Sequence, residues 1–579
     1  MKHTFADELS RASNSSIDLQ TFGGGFPQSM AQFPEIRIGK WWVTTRQSLI
    51  LLAPIGIAGA ILAIFTARFL RTFPAVQQFI ATYPGTGSFA PPLPDGFPLW
   101  LRACHWINFF LLLFMIRSGI QILADHPRLY LNPHCTPGSE WLRLLGPVPL
   151  DREYHAKEDT VSLPGWLGLP GIRHSIGLAR WWHFVFDTLW LANGILVYVL
   201  LFSTGQWRRI VPVSFDVIPH TLSTALQYLS LDFPSPSGWL QYNGLQLLAY
   251  FTTVFIASPL ALITGVMQSP AIAARLHLAT GFLNRQVARS LHFLVLGYFL
   301  LFIAGHVVMV FATDAINNLN HMTLGTNDRS WAGFLVFALI FALTTIAWLL
   351  ATPLTLKYPR KVQHIGRWII GGILDRIEKL RPVANYSEKD ISPYFWVNGT
   401  APVSAEYKKH LAEGFRNYQL NVGGLVEKPV QLTLNQLRAL PKQEQITSNY
   451  CIQGWTGVAK WGGVRLRDIM ALARPMPNAR YVVFYSFAHG SEKGRGLYYD
   501  CHKIEHMPHD QTILAYEMNG KVLPERHGAP LRLRNELELG FKSVKWVQSV
   551  EFVESFTSLG LGEGGFNEDY EFYTTRNPI

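Results

Sequence analysis

Along the first 352 positions, apolar residues come in blocks rather than in stripes. Six stretches, roughly 49–67, 100–123, 183–205, 244–268, 289–313 and 332–352, are apolar on every side. A helix needs about 20 such residues to cross the hydrocarbon of a bilayer, so the pattern predicts six transmembrane helices. The first run starts only near residue 48 and no small-residue cleavage site follows it, so no secretory leader is expected. Beyond residue 390 the period changes. Tyr418–Val422, Tyr481–Phe487, Thr512–Met518 and Val544–Val553 alternate or are rich in β-branched and aromatic residues, as strands are. Short helices are expected at 433–440 and 466–473. Turns are expected at Gly423-Gly424, Met518-Asn519-Gly520 and His527-Gly528-Ala529-Pro530. The expected fold is a membrane all-α helical bundle (49–352) after an N-terminal segment (1–48). A basic, helical linker (353–389) and a soluble α+β domain (390–579) follow.

Charge separates the same two regions. The chain carries 50 Lys+Arg and 39 Asp+Glu, a net charge of +11. Residues 390–579 hold 21 Lys+Arg against 20 Asp+Glu, whereas residues 1–389 hold 29 against 19. Within the membrane half the excess lies on one side. The segments 1–48, 124–182, 269–289 and 353–381 share a side and carry 21 Lys+Arg; the opposite loops carry 5. Lys- and Arg-rich loops stay in the cytoplasm. The expected setting is therefore the inner (cytoplasmic) membrane, with the N-terminal segment and the C-terminal domain both cytoplasmic. The basic residues serve as topology signals, which removes the case for nucleic acid and makes the lipid bilayer the expected partner. Oligomeric state is left open. Four cysteines among 579 residues exclude a disulfide scaffold.

Four histidines lie in or at the edges of the apolar runs: His105, His183, His292 and His306. Ionisable groups are costly there and are functional candidates by default. His292 and His306 are fourteen residues apart on one expected helix. That is four turns less about 40°, so both face one way, about 21 Å apart along the axis. With alternating span directions, His183 falls level with His292, and His105 with His306. Neutral imidazole suits iron, and two such pairs would hold two b haems, one above the other. Asp187, one turn after His183, is a candidate to orient its ring. His126, His134 and His155, in the polar loop 124–182, are read as surface residues, because no metal-ligand spacing joins them.

In the C-terminal domain the chemistry gathers around Cys451, in SNYCIQGWTGVAKWGG. Glycines and tryptophans wrap one thiol in an expected loop. It could ligate a soft metal or act as a nucleophile. The second role needs a base, for which His489, His502, His506 and His509 are candidates.

The membrane half resembles the di-haem b-type cytochrome subunits of formate dehydrogenases, nickel–iron hydrogenases and thiosulfate reductases. The likeness rests on the histidine pattern across about 100–313. The domain 390–579 resembles the molybdopterin core of the sulfite-oxidase superfamily, nearest the protein-methionine-sulfoxide reductase branch. The matching segments are Cys451–Thr456, Leu514–Gly520, His527–Arg532 and Gly540–Lys545. The resemblance implies that Cys451 ligates molybdenum. It implies that Arg532, Lys542 and Lys545, with Ser543, His527, Asn398 and Ser486, hold the pterin. It implies electron exchange among quinone or quinol, two haems and molybdenum–molybdopterin, with oxygen-atom transfer on a small oxidised sulfur or nitrogen compound or oxyanion. The alternative is a non-catalytic electron-transfer or sensor protein with a degenerate pterin domain, which the retained Cys451 and cationic motifs oppose.

Overall fold

The computed structural model describes residues 29–30, 33–87, 96–233, 239–275, 281–379, 386–489 and 496–576. Most of the expected N-terminal segment and part of the linker lie outside the described residues. All six apolar runs are helices long and apolar enough to cross a membrane. They are α1 (Thr45–Leu70), α2 (Leu99–Asp125), α3 (Ile176–Ser203), α4 (Gly244–Met267), α5 (Arg285–Thr323) and α6 (Ala332–Lys357). Two irregularities have local causes. α4 widens into a π-helical turn over Thr252–Ala257 just before Pro259, whose ring cannot share space with the preceding turn. α5 breaks at Asp314 (φ −155°, ψ 77°), where its sequence turns polar. Within the bundle α2 packs along α3, and α5 along α4 and α6.

Loop 124–182 is not a solvated connector. Its strands Arg128–Leu129 and Leu142–Arg143 continue a four-stranded sheet with Glu35–Ile38 and Trp41–Thr44. Beneath lies a buried ionic cluster. Arg128 donates from Nε to Asp159 Oδ1 (2.8 Å) and from Nη1 to Glu140 (3.0 Å), and His126 Nδ1 lies 3.1 Å from Asp159. The expectation of surface histidines is corrected here. His126 is fully buried, His134 Nδ1 lies 3.0 Å from Ser392 Oγ, and His155 forms a β-bridge with Val397. Ser392 and Val397 belong to the C-terminal domain, whose weight on this loop no sequence periodicity records.

The linker is helical, as its composition suggested. α7 (Pro359–Lys379) follows a break at Tyr358, the residue that Pro359 keeps out of helical geometry. α7 packs on α3 and ties to the end of the chain. Arg360 donates to the Asp569 carbonyl (2.7 Å) and Gln363 to that of Tyr573 (2.8 Å).

The C-terminal domain holds ten described strands: β1 (Gln419–Gly424), β2 (Val430–Thr433), β3 (Lys442–Tyr450), β4 (Thr456–Arg465), β5 (Tyr481–His489), β6 (Leu497–Lys503), β7 (Thr512–Met518), β8 (Lys521–Val522), β9 (Arg532–Asn535) and β10 (Val547–Val553). One sheet runs β8-β7-β4-β3, with β9 also on β7; the other runs β6-β5-β10-β1-β2. Every pair is antiparallel except β10–β1. The four expected strands and both expected helices form, Leu466–Ala473 and Thr512–Met518 at the expected limits. The segment Val544–Trp546 is instead a turn before β10. The strands β3 and β4 were not anticipated, because KQEQITSN reads as polar. Its polar side chains are buried in pairs: Gln445 and Thr447 donate to Glu536, and Asn449 accepts from Arg534.

The ionic cluster gives a prediction. Burial alone would raise the proton affinity of Asp159, but Arg128 and His126 outweigh it and hold the carboxyl well below its usual range. A depressed carboxyl stabilises the folded state above its unfolded pKa, near pH 4, and that stabilisation is lost as pH falls further. Asp159→Asn leaves Arg128 partly unpaired in the interior and is expected to cost about 3 kcal/mol. A lower Tm in detergent at pH 7, with the gap to the parent closing in acid, checks it.

Candidate functional site

Each of the four expected histidines has its ring held by a polar neighbour or faces its partner ring. His183 Nδ1 lies 3.2 Å from the Met115 carbonyl and 3.1 Å from Ser118 Oγ. The carbonyl can only accept, so Nδ1 carries the proton and Nε2 presents its lone pair. His292 Nδ1 lies 3.1 Å from Thr264 Oγ1, and His306 Nδ1 lies 3.3 Å from Tyr250 Oη. Asp187 Oδ2 lies 3.7 Å from His183 Nε2. The rings of His105 and His306 face each other with centroids 6.3 Å apart. A metal bonded to both, at about 2 Å from each nitrogen, would space ring centres roughly 6 Å apart. His105 Nδ1 is buried with no hydrogen-bond partner among the described residues. At the other level Gly119 makes room for His183, since a Cβ there would lie 3.1 Å from its Cε1. Ser118, Thr264 and Tyr250 were missed in the sequence; the signal was a hydroxyl within an apolar run.

Cys451 sits between β3 and β4 in the loop Cys451–Trp455, closed by a Cys451 N–H bond to the Trp455 carbonyl (3.1 Å). It is 3% exposed. Membrane-domain residues Tyr130, Cys135, Ile176, Ala273 and Ala274 form one apolar core with Cys451, Ile452 and Trp455. Burial pushes the thiol up to about 12. Such a thiol is a poor nucleophile at neutral pH, whereas a metal would bind it as thiolate. Its side-chain partners among the described residues are Gln453 Oε1 (3.8 Å) and Asn398 Nδ2 (4.0 Å), not a histidine base. His502 is engaged elsewhere, with Asn535 and the Lys542 carbonyl.

A polar, cationic cradle continues from the thiol. Buried atoms with no hydrogen-bond partner among the described residues include Asn398 Oδ1, Trp455 Nε1, Trp461 Nε1 and Arg532 Nε. Phe395 ties them together, touching Trp455, Trp461 and His527 edge-on at 5.6–6.1 Å between centroids. Burial, with Arg532, Lys545 and Arg526 nearby, lowers His527 to about 2, so its ring is neutral. Burial and Arg534 lower Arg532 to about 9. Gly528 lies against the Lys545 side chain, where a Cβ would come within 3.0 Å, and its φ of +117° also favours glycine.

Three expected residues stand differently. Lys542 is fully buried and its ammonium is spent on Asp500, Glu568 (2.8 Å) and the Cys501 carbonyl (3.0 Å). It is no free cation for a phosphate; two carboxylates two sequence segments away claim it. Ser486 Oγ donates to the Lys545 carbonyl (2.7 Å) and accepts from Ala488 N–H (3.0 Å), holding backbone. Ser543 is buried in the turn ahead of Lys545, its N–H on the Gly540 carbonyl (3.2 Å).

Comparison with known proteins matches both halves. Residues 96–325 match the family described as prokaryotic cytochrome b561, and residues 408–558 match the oxidoreductase molybdopterin-binding domain. The chain is a fusion of these two domain families. A protein of Azospira oryzae named as protein-methionine-sulfoxide reductase subunit YedZ1 is 33% identical over 26% of this chain and 53% of its own length. The protein-methionine-sulfoxide reductase catalytic subunit MsrP of Xanthomonas axonopodis is 30% identical over 35% of this chain and 63% of its own. The chain thus spans between half and two thirds of the curated relatives it matches. The sulfane dehydrogenase SoxCD structure from Paracoccus pantotrophus aligns at 25% identity over 24% of this chain and 39% of that one, with a TM-score of 0.22.

The residues present fit the cofactors these families carry. Two imidazoles 6.3 Å apart, and ring nitrogens of His183, His292 and His306 anchored through Nδ1, suit haem iron. A buried thiol beside unpartnered donors and crowded cations suits molybdenum held by an anionic pterin. Gly119→Leu is expected to displace His183 and lower b-haem content per chain in the reduced-minus-oxidised spectrum. Gly59→Leu on α1, where nothing lies within 4 Å of the added Cβ, should leave that content unchanged.

Proposed function

We propose that this membrane-bound molybdopterin oxidoreductase takes electrons from quinol and reduces a small oxidised sulfur compound, a sulfoxide in the first instance. Two b haems sit on His105–His306 and His183–His292, and Cys451 ligates molybdenum. The observation that carries the reading is the burial of Cys451 against the membrane domain, on the side where α3 and α5 begin and two helical turns before His183 and His292. A thiol placed there can exchange electrons only through that domain or through its own cradle.

Bound molybdenum supplies oxygen-atom exchange, two electrons at a time; a sulfoxide, two electrons and two protons yield a sulfide and water. The chain's residues do the rest. Gln453 and Asn398 orient the thiol, Arg532 and Lys545 neutralise the pterin phosphate, and neutral His527 donates or accepts a hydrogen bond without adding charge. The Ser543 turn and Ser486 hold the Lys545 backbone in place. Lys542 is left out of this set, because its charge is already balanced. The absence of oxyanion-binding arginines in CIQGWTG and the names of the curated relatives support reduction of a neutral sulfoxide over oxidation of an anion. Loop charges and the packing of the domain on loop 124–182 support a cytoplasmic catalytic site.

Purified full-length protein is expected to contain one molybdenum and two haems per chain. His292→Ala and His306→Ala should each remove one haem. Reduced viologen dye should be oxidised on addition of methionine sulfoxide, and Cys451→Ala should abolish this. Molybdenum-free protein, or haem content unchanged in both histidine variants, would sink the proposal.

A further inference from the structure

The contact between the Cys451 loop and the membrane helices is built from two glutamine amides, Gln286 and Gln453, and the Arg285 guanidinium. Gln286, fully buried in the first turn of α5, donates from Nε2 to the Gly454 carbonyl (3.0 Å) and to Thr456 Oγ1 (3.0 Å). Arg285 donates to the same carbonyl (3.1 Å). Six residues further along α5, about 9 Å, stands His292. A second route mirrors it. Gln453 Nε2 donates to the Asp125 carbonyl at the end of α2 (3.2 Å). Seven residues back along α2, about 10 Å, Ser118 holds His183. The thiol loop thus reaches His292 by one side-chain hydrogen bond and nearly two turns of helix, and His183 by two such bonds and two turns. Gly454 turns the loop toward α5 at a φ of +110°, a backbone conformation that favours glycine.

We infer that this contact is a fixed electron bridge, with Gln286 as its positioning residue; the inference rests on the haem and molybdenum reading above. Electron tunnelling falls off exponentially with distance and fastest through empty space, so hydrogen-bonded contact matters more than mean separation. The apolar core that encloses the loop keeps water out and holds the domain docked, so no swing of the domain accompanies turnover. The step moves one electron: the iron on His183–His292 loses it and the molybdenum centre gains it. Two such steps accompany each oxygen atom removed: quinol gives up two electrons and releases two protons as it becomes quinone, and two protons taken up from solution leave with the oxygen as water.

Flash photoreduction of the haems in the full-length protein, by a photogenerated flavin radical, tests this without substrate or quinol. Haem reoxidation should show a first-order phase independent of protein concentration and of added glycerol. Gln286→Leu should slow that phase roughly tenfold or more, as loss of close positioning does, with haem content, molybdenum content and haem midpoint potentials unchanged. Gln286→His, which keeps an N–H at similar reach, should restore much of the rate. Arg285→Gln, which keeps a donor, is a second variant should Gln286→Leu fold poorly, and should slow the phase less. A rate that falls with viscosity, or a Gln286→Leu rate equal to the parent's, would overturn the bridge. So would a parent protein that holds molybdenum yet shows no such phase. Absence of molybdenum would instead refute the functional reading on which the bridge stands.

Discussion

Burying the loop Cys451–Trp455 is the constraint on which the architecture turns. A five-residue loop exposes carbonyls and N–H groups that its own strands do not pair, and an interior leaves no water to pair them. The groups are paired across the domain boundary instead. Gln286 and Arg285 take the Gly454 carbonyl, and Gln453 reaches the end of α2 and the Ala156 carbonyl. The thiol loop is complete only when the membrane domain is in place, and the two halves of the chain share one core.

That constraint explains features that otherwise look unrelated. Loop 124–182 is rich in charge yet largely buried, because it is the bearing surface between the membrane helices and the C-terminal domain; Arg128 pairs inside it with Asp159 and Glu140, and Arg143 and Lys157 pair across its edges with Glu35 and Glu571. α7 is a brace rather than a tether, with one face on α3 and its first turns bonded to carbonyls near residue 570. The end of the chain closes back over the joint, where Gly177 leaves no room for a side chain against the Glu571 and Phe572 carbonyls.

The cations divide by the same logic. Lys542 and Lys545 are three residues apart in a short turn and look equivalent in sequence. One is neutralised by Asp500 and Glu568. The other, beside His527 and Arg532, lies in a region where positive charge exceeds negative. A buried excess of positive charge is costly unless an anion answers it, and the pterin phosphate that we propose for this cradle would supply one.

Sequence alone determined much of this protein. Helix period and apolar length are local quantities, and they sufficed for six spans and for setting His105 level with His306. Strand period sufficed for the four most regular strands, and motif order for the pterin domain. It could not show that His126 is buried, that β3 and β4 flank the cysteine, or that Lys542 is already paired. Each of those depends on residues far away in the chain: Asp159, Glu536, Asp500. Whether a polar side chain faces water or a partner is decided by what packs over it, and only the tertiary structure brings that cover into place.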